Sequence, residues 1–243
     1  MVSRSDIPWP RLAAETIAIV ASILLAFAID AWWENRSRLE QEQQLLLSLR
    51  EDFIASQEGA RYYLNGNARI QSDLDLLLEE LQSSEPGESA TVMPSSVFAS
   101  LAMPTYSPID ATLSAAHTSG AVEMIRSNSL RALLARWQQV LDDTQEDELM
   151  VKQLVNSRIA PLLSSQVRLG TYFKRENMVA YFRGEETKLS GTGEVIEYTP
   201  EFEGAIAERH FWTSFVVSGL EHLNEILEEI IKVIDGQLRE LPG

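Results

Sequence analysis

Chemistry in a protein chain starts with histidines, cysteines, clustered carboxylates and phosphate-binding glycine loops, and this chain offers few of them. Its three histidines, His117, His210 and His222, have neither metal-ligand spacing nor an HExxH context. His117, beside Ser119-Gly120, suits capping or packing. His210, beside Phe211 and Trp212, suits a packed histidine, and His222 next to Glu221 suits a solvated face. The carboxylates Asp142, Asp143, Glu146, Asp147 and Glu148 could hold a divalent cation, but such a run normally forms the solvated face of a helix. Gly191-Thr192-Gly193 lacks the lysine and helix start of a phosphate loop, and no serine sits in a GxSxG elbow. With no cysteine there is no thiol catalysis, disulfide or cysteine-bound zinc. The expectation is a protein with no catalytic residues, metal site or cofactor.

Charge narrows the partners. The 243 residues carry 20 basic and 36 acidic side chains, a net charge of −16. Removing residues 1–30, which hold Arg4, Arg11, Asp6, Glu15 and Asp30, leaves 18 basic and 33 acidic groups, near −15. Nucleic acid and anionic lipid surfaces are therefore excluded as main partners.

The elements are organised around the uncharged stretch Thr16–Ile29, TIAIVASILLAFAI. Its 14 residues span about 21 Å of helix, less than the roughly 30 Å hydrocarbon core. The bounding acids Glu15 and Asp30 must then lie near a headgroup boundary or face a partner. Trp9 on one side and Trp32 with Trp33 on the other suit the two aromatic belts, about 36 Å apart along a helix. A cleaved signal peptide competes with a retained anchor, since Arg4 and Arg11 could form its n-region and Ala26-Phe27-Ala28 its cleavage site. Glu15 against the apolar run and the helical continuation past Trp33 favour retention of residues 1–33. A buried core helix is disfavoured, because nothing else in the chain is apolar enough to surround it.

The expected layout is a short tail (1–10), a transmembrane helix (11–33) and an extramembrane helical domain (34–243). Flanking arginines are nearly balanced, so orientation is weakly encoded; a signal-anchor places the larger domain on the extracytoplasmic side of a cell inner membrane. Glu15, Ile19, Ser22, Ala26 and Asp30 share one helix face, and Ser22-xxx-Ala26 permits close helix approach. That face suits self-association or docking to another membrane protein; alternatively, both acids simply reach the headgroups of the lipid bilayer.

Beyond the span a heptad-like ladder runs Leu39, Glu42, Leu46, Leu49, Phe53, Ser56, Ala60, Tyr63, Asn67, Ile70, Leu74, Leu77, Leu81. It predicts one helix over about 11–82, with a kink or turn possible at Asn65-Gly66-Asn67. The stripe could pack inside its own subunit or form a seam between subunits. Residues 83–89 read as a loop. A short helix opens at Ser95 or Ser96, and another runs from about Asp110 to a glycine stop at Ser119-Gly120. Asn128 or Ser129 should cap a long helix through Trp137 and Leu154 that Pro161 kinks or ends near Ala160. Residues 168–200, rich in aromatics, read as a loop or short hairpin, with loop preferred. Thr199-Pro200-Glu201 starts the last helix, closed by Gly236 and Pro242-Gly243. The predicted fold class is all-α: an elongated bundle of three long helices on a membrane stalk.

The block Ala14-Glu15, Ile23–Phe27 and Asp30-Ala31-Trp32-Trp33-Glu34-Asn35-Arg36, followed by Leu46, Leu49 and Asp52, resembles an uncharacterised bacterial family of single-pass membrane proteins. Thr112-Leu113, Ser119-Gly120, Ile125-Arg126, Leu130-Arg131 and Leu134 resemble its second motif. The family usually shows asparagine before a single tryptophan, where this chain has Asp30-Ala31-Trp32-Trp33. The resemblance implies an uncleaved N-terminal anchor on a helical domain and brings no activity. Two functions compete: an oligomeric interaction or scaffold protein, and a ligand-binding sensory domain signalling through a partner subunit. A continuous exposed apolar stripe favours the first. A ligand-sized pocket among the aromatics of 172–182 and 202–215 favours the second.

Overall fold

A computed structural model describes residues 9–185 and 193–240. Helix α1, Trp9–Gln82, is a single unbroken helix of 74 residues, about 110 Å long. Its ladder is buried: Glu42, Leu46, Leu49, Phe53, Ser56, Ala60, Asn67, Ile70, Leu74, Leu77 and Leu81 are all covered, with Leu39 and Tyr63 half-buried. They are covered by this chain's own helices, so the stripe packs within the subunit.

No kink occurs at Asn65-Gly66-Asn67. Gly66 is needed for a close approach instead: a Cβ built there would lie 1.9 Å from Cδ1 of Phe182. Asn67 bonds along its own helix, Nδ2 donating to the Tyr63 carbonyl at 2.9 Å.

Three long helices carry the bundle, α1, α4 (Asn128–Leu154) and α8 (Pro200–Glu240). The last runs antiparallel to α1 in constant register. Arg50 meets Asp235, Arg61 meets Asn224, Asp75 meets His210 and Gln82 meets Glu203, each step along α1 matched by one back along α8. On the other side α8 packs against α4 so closely that a Cβ on Gly219 would lie 2.4 Å from Oγ1 of Thr144. The core has two sections. Leu46–Ala60 of α1 join Leu130–Val151 and Val216–Ile234; farther from the N-terminus, Ile70–Leu81 join Phe98, Leu154–Val167, Tyr181 and Phe202–Ile206. Half-buried Tyr63 and Trp212 touch both.

The short elements depart from expectation in instructive ways. Helix α2 (Pro94–Leu101) starts at Pro94 rather than Ser95, with the Glu80 carboxylate accepting the Met93 N–H at 3.1 Å. Helix α3 (Ala111–Ser119) ends as expected on Gly120, at φ 75°. The cap of α4 is Ser127, one residue early, its hydroxyl accepting the Leu130 N–H at 3.1 Å. The helical path continues through Pro161, but not as one regular α-helix. A π-helical turn, Val155–Ile159, precedes it, with the Ala160 N–H reaching back five residues to the Val155 carbonyl, and α5 (Ala160–Ser164) continues. The widened turn changes the hydrogen-bonding step just where proline's ring and missing N–H would break a regular ladder.

The described parts of residues 168–200 are not a continuous loop. They form α6 (Leu169–Tyr172), α7 (Arg175–Phe182) and β2 (Glu194–Glu197), which pairs antiparallel with β1 (Ser89–Val92), Ala90 opposite Ile196. The preferred loop thus gives way to helices and a long-range ribbon. In α8 the start is as expected, Thr199 Oγ1 accepting the Phe202 N–H at 3.1 Å. Gly236 does not close it: the helix runs on to Glu240, and Pro242-Gly243 lie outside the described residues.

Candidate functional site

The predicted catalytic types are dispersed. His117 is exposed on α3, its backbone carbonyl accepting the Gly120 N–H. His210 Nε2 lies 2.9 Å from Asp75 Oδ1, an ion-pair distance when protonated but without hydrogen-bond alignment. His222 Nε2 is 2.7 Å from an Arg136 nitrogen. Among the described residues no three His, Cys, Asp or Glu side chains gather as metal ligands. The acidic run splits around α4: Asp142, Asp143 and Glu146 are exposed and Asp147 half-buried, while Glu148 points into the core. Gly191 and Thr192 of the glycine motif lie outside the described residues; Gly193 leads into β2, where a Cβ would meet Thr91 Cγ2 at 2.5 Å.

Two buried carboxylates are more informative. Glu42 accepts both the Arg126 backbone N–H at 2.9 Å and the Arg126 Nε at 2.6 Å, tying α1 to the start of α4. Glu148 accepts the Tyr106 N–H at 2.9 Å through Oε1, while its buried Oε2 has no hydrogen-bond partner among the described residues. Burial pushes the Glu148 carboxyl up to about 7, against the opposing pulls of that N–H and of Lys152. The Tyr106 hydroxyl donates to the Ser56 carbonyl at 2.9 Å, and burial raises it. Each acid occupies a core position of a helical repeat, a signal present in the sequence but not followed there.

The feature best shaped to hold a ligand is a cleft of about 350 Å3 between α2 and the α6–α7 corner. Phe98, Leu101 and Ala102 form one wall; Tyr172, Phe173, Lys174, Arg175 and Met178 form the other. The corner is firmly held. Tyr172 donates its hydroxyl to Glu194 Oε1 at 2.7 Å, fastening α6 to β2. Asn177 Nδ2 donates to the Thr171 carbonyl at 2.9 Å, joining α6 to α7. Tyr181 donates to Asp73 Oδ2 at 2.6 Å, and Arg69 donates to the Tyr181 carbonyl at 2.7 Å with its guanidinium 4.4 Å from that ring. Burial and the Asp73 carboxylate both raise the Tyr181 hydroxyl, which therefore stays protonated as donor. Behind Ala102 lies Arg209, 1% exposed, whose Nη2 donates to the Ala102 carbonyl at 2.7 Å and whose Nη1 donates to the Thr213 hydroxyl. Burial lowers its guanidinium to about 9, so it remains charged at neutral pH.

Of the expected aromatics, 172–178 line this cleft and 202–215 do not. Phe202 is core, while Phe211 and Phe215 form an exposed cluster with Trp212, ring centroids 4.9–6.0 Å apart. The role of α2 as the second wall was not visible in the sequence.

Among the described residues one segment, at the N-terminal end of α1, is long and apolar enough to cross a membrane, and its apolar stretch is not buried. A signal sequence would have the same length and composition. From Ile17 to Trp33 its large apolar side chains are 48–69% exposed, so it is not a core helix. Glu15, Ile19, Ser22, Ala26 and Asp30 are all exposed, and Ser22 Oγ donates to the Ala18 carbonyl at 2.8 Å. Trp32 and Trp33 pack edge to face, centroids 5.2 Å apart, while Trp9 is the first residue of α1. No family model matches the chain, and neither a curated protein nor a solved structure matches it, so the function must be argued from these residues themselves.

Proposed function

We propose that this chain is a single-pass protein of the cell inner membrane whose extracytoplasmic helical domain binds a small apolar ligand and passes its occupancy to a partner membrane helix. The observation that carries this is the cleft. Its volume lies in the range of ligand sites, its walls are largely apolar, and hydrogen bonds to α1 and β2 hold its corner in place. The competing scaffold role draws less support, since the long stripe of α1 that suggested a seam is covered inside the subunit.

Photolabelling tests it on the full-length chain in membranes. A neutral fatty alcohol carrying a diazirine should attach to peptides containing Phe98–Ala102 and Tyr172–Met178, and filling the cleft by Met178→Trp should abolish those adducts. Labelling confined to Ile17–Trp33 would refute the ligand reading.

Self-association through the span is supported by a separate observation. Two acids and two small residues share an exposed face of α1. Since lipid supplies no hydrophobic drive between helices, close backbone approach decides their pairing, and bulk matters more than polarity. Ala26→Leu and Ser22→Leu should each weaken the cross-linking ladder of the protein in membranes, while Leu24→Ile, off the stripe, should not. Two unchanged ladders would make the span an anchor alone.

A further inference from the structure

We infer that the ligand of the cleft is a single-chain anionic amphiphile, a long-chain fatty carboxylate, with its tail against Phe98, Leu101, Phe173 and Met178 and its head between Lys174 and Arg175. The inference rests on the ligand-binding reading above and adds the chemical class.

Charge balance distinguishes this cleft from two other concavities of the domain. Beside α1 near Asn35, Arg38 and Arg126 are balanced by Glu42 and Glu123. Between α4 and α8, Arg136 is outweighed by Asp143 and Asp147. Among the described residues the charged side chains lining the α2–α6–α7 cleft are Lys174 and Arg175, with no carboxylate beside them. In a chain with 36 acidic and 20 basic side chains this is the reverse of the general balance. Neither cation makes an ion pair among the described residues, whereas Arg36, Arg38, Arg50, Arg126 and Arg158 each pair with a carboxylate.

Two further groups reinforce the positive potential. Arg209, behind the Ala102 wall, adds a buried charge with no carboxylate partner among the described residues. Helix α7 also begins here, so its first-turn amides contribute partial positive charge, and its first-turn acid, Glu176, does not line the cleft. Both lining cations are exposed, so an anionic head would stay hydrated while the tail leaves water. A cleft of about 350 Å3 lies at the small end of ligand sites, which suits one acyl chain better than two.

The experiment compares diazirine-bearing palmitic acid with diazirine-bearing hexadecanol on the full-length protein in phosphatidylcholine nanodiscs at alkaline pH. Adducts on Tyr172–Met178 are quantified by peptide mass spectrometry. The acid should half-saturate at about tenfold lower concentration than the alcohol, the effect of two partly exposed charge contacts. The double variant Lys174→Gln/Arg175→Gln should remove that preference and leave alcohol labelling unchanged, which also reports an intact cleft. Unlabelled palmitate should displace the probe, and diacyl phosphatidylglycerol should not. Equal labelling by acid and alcohol overturns the anionic assignment while preserving the ligand-binding reading. So does a preference that survives the double variant. Displacement by phosphatidylglycerol alone overturns the single-chain assignment. Absence of both adducts from the cleft peptides defeats the ligand-binding reading itself.

Discussion

Replacing Leu49 by Asp should lower the thermal unfolding midpoint of the full-length protein in detergent by about 10–20 °C. Leu49 is fully buried in the section of core that joins α1 to α4 and α8. Truncating such a leucine costs about 2–5 kcal/mol, and burying a carboxylate without a cation adds to it, for a total of about 4–6 kcal/mol. For a domain of this size each kcal/mol moves the midpoint by roughly 2–4 °C. Leu47, two residues away and 39% exposed, provides the control, because Leu47→Asp leaves the charge in water. Far-UV circular dichroism melts of both variants decide it. An unshifted midpoint for Leu49→Asp would mean that the ladder is not a packed face.

Glu148→Gln should stabilise the protein above pH 7 and do nothing at pH 4.5. The carboxyl ordinarily titrates at 4.5 and is raised by burial to about 7 in the fold. Between those values the native state holds a proton that the unfolded state has released, so stability falls as pH rises through that window. The move from 4.5 to about 7 corresponds to a ceiling of roughly 3–4 kcal/mol at pH 8. Glutamine retains an acceptor for the Tyr106 N–H and removes the charge. Its amide nitrogen meets the same partnerless environment as Oε2, which keeps the gain below that ceiling. The expected result is a midpoint about 3–8 °C above wild type at pH 8 and equal to it at pH 4.5. Taking the difference between the two proteins cancels the titration of the other carboxylates. The same gain at both pH values would show that Glu148 does not bear the buried charge.

Why some of this was legible follows from what periodicity can carry. The ladder from Leu39 to Leu81 exposes its period because it repeats over many turns, and the helix it predicts is continuous to Gln82. The same ladder contained Glu42, an acid at a core position, and the stripe of α4 contained Glu148; both exceptions marked buried polar contacts. Gly66 looked like a helix breaker because propensity is local, whereas its cause is a ring more than a hundred residues away, Phe182. The strands Ser89–Val92 and Glu194–Glu197 are too short for alternation to register, and each is extended only because the other pairs with it. The cleft was half visible. Tyr172 and Phe173 stood out as an aromatic group, but the facing wall on α2 depends on tertiary packing that no window along the chain contains. Pro161 marked an interruption of the regular helix near Ala160, but the form it takes, a π-helical turn, leaves no sequence signature of its own.

From Glu34 to Gln41 no side chain of α1 is buried, and the first fully covered residue is Glu42. This bare, regular stretch acts as a geared shaft between the apolar segment and the bundle. Each residue inserted there would turn the whole domain by about 100° and lift it by about 1.5 Å, with no change to any core contact. Seven residues would return it nearly to its first heading, about 10 Å higher. The compass direction in which the cleft opens, relative to whatever the apolar helix engages, is therefore written in the length of eight residues, all exposed but half-buried Leu39, and not in the packing of the bundle.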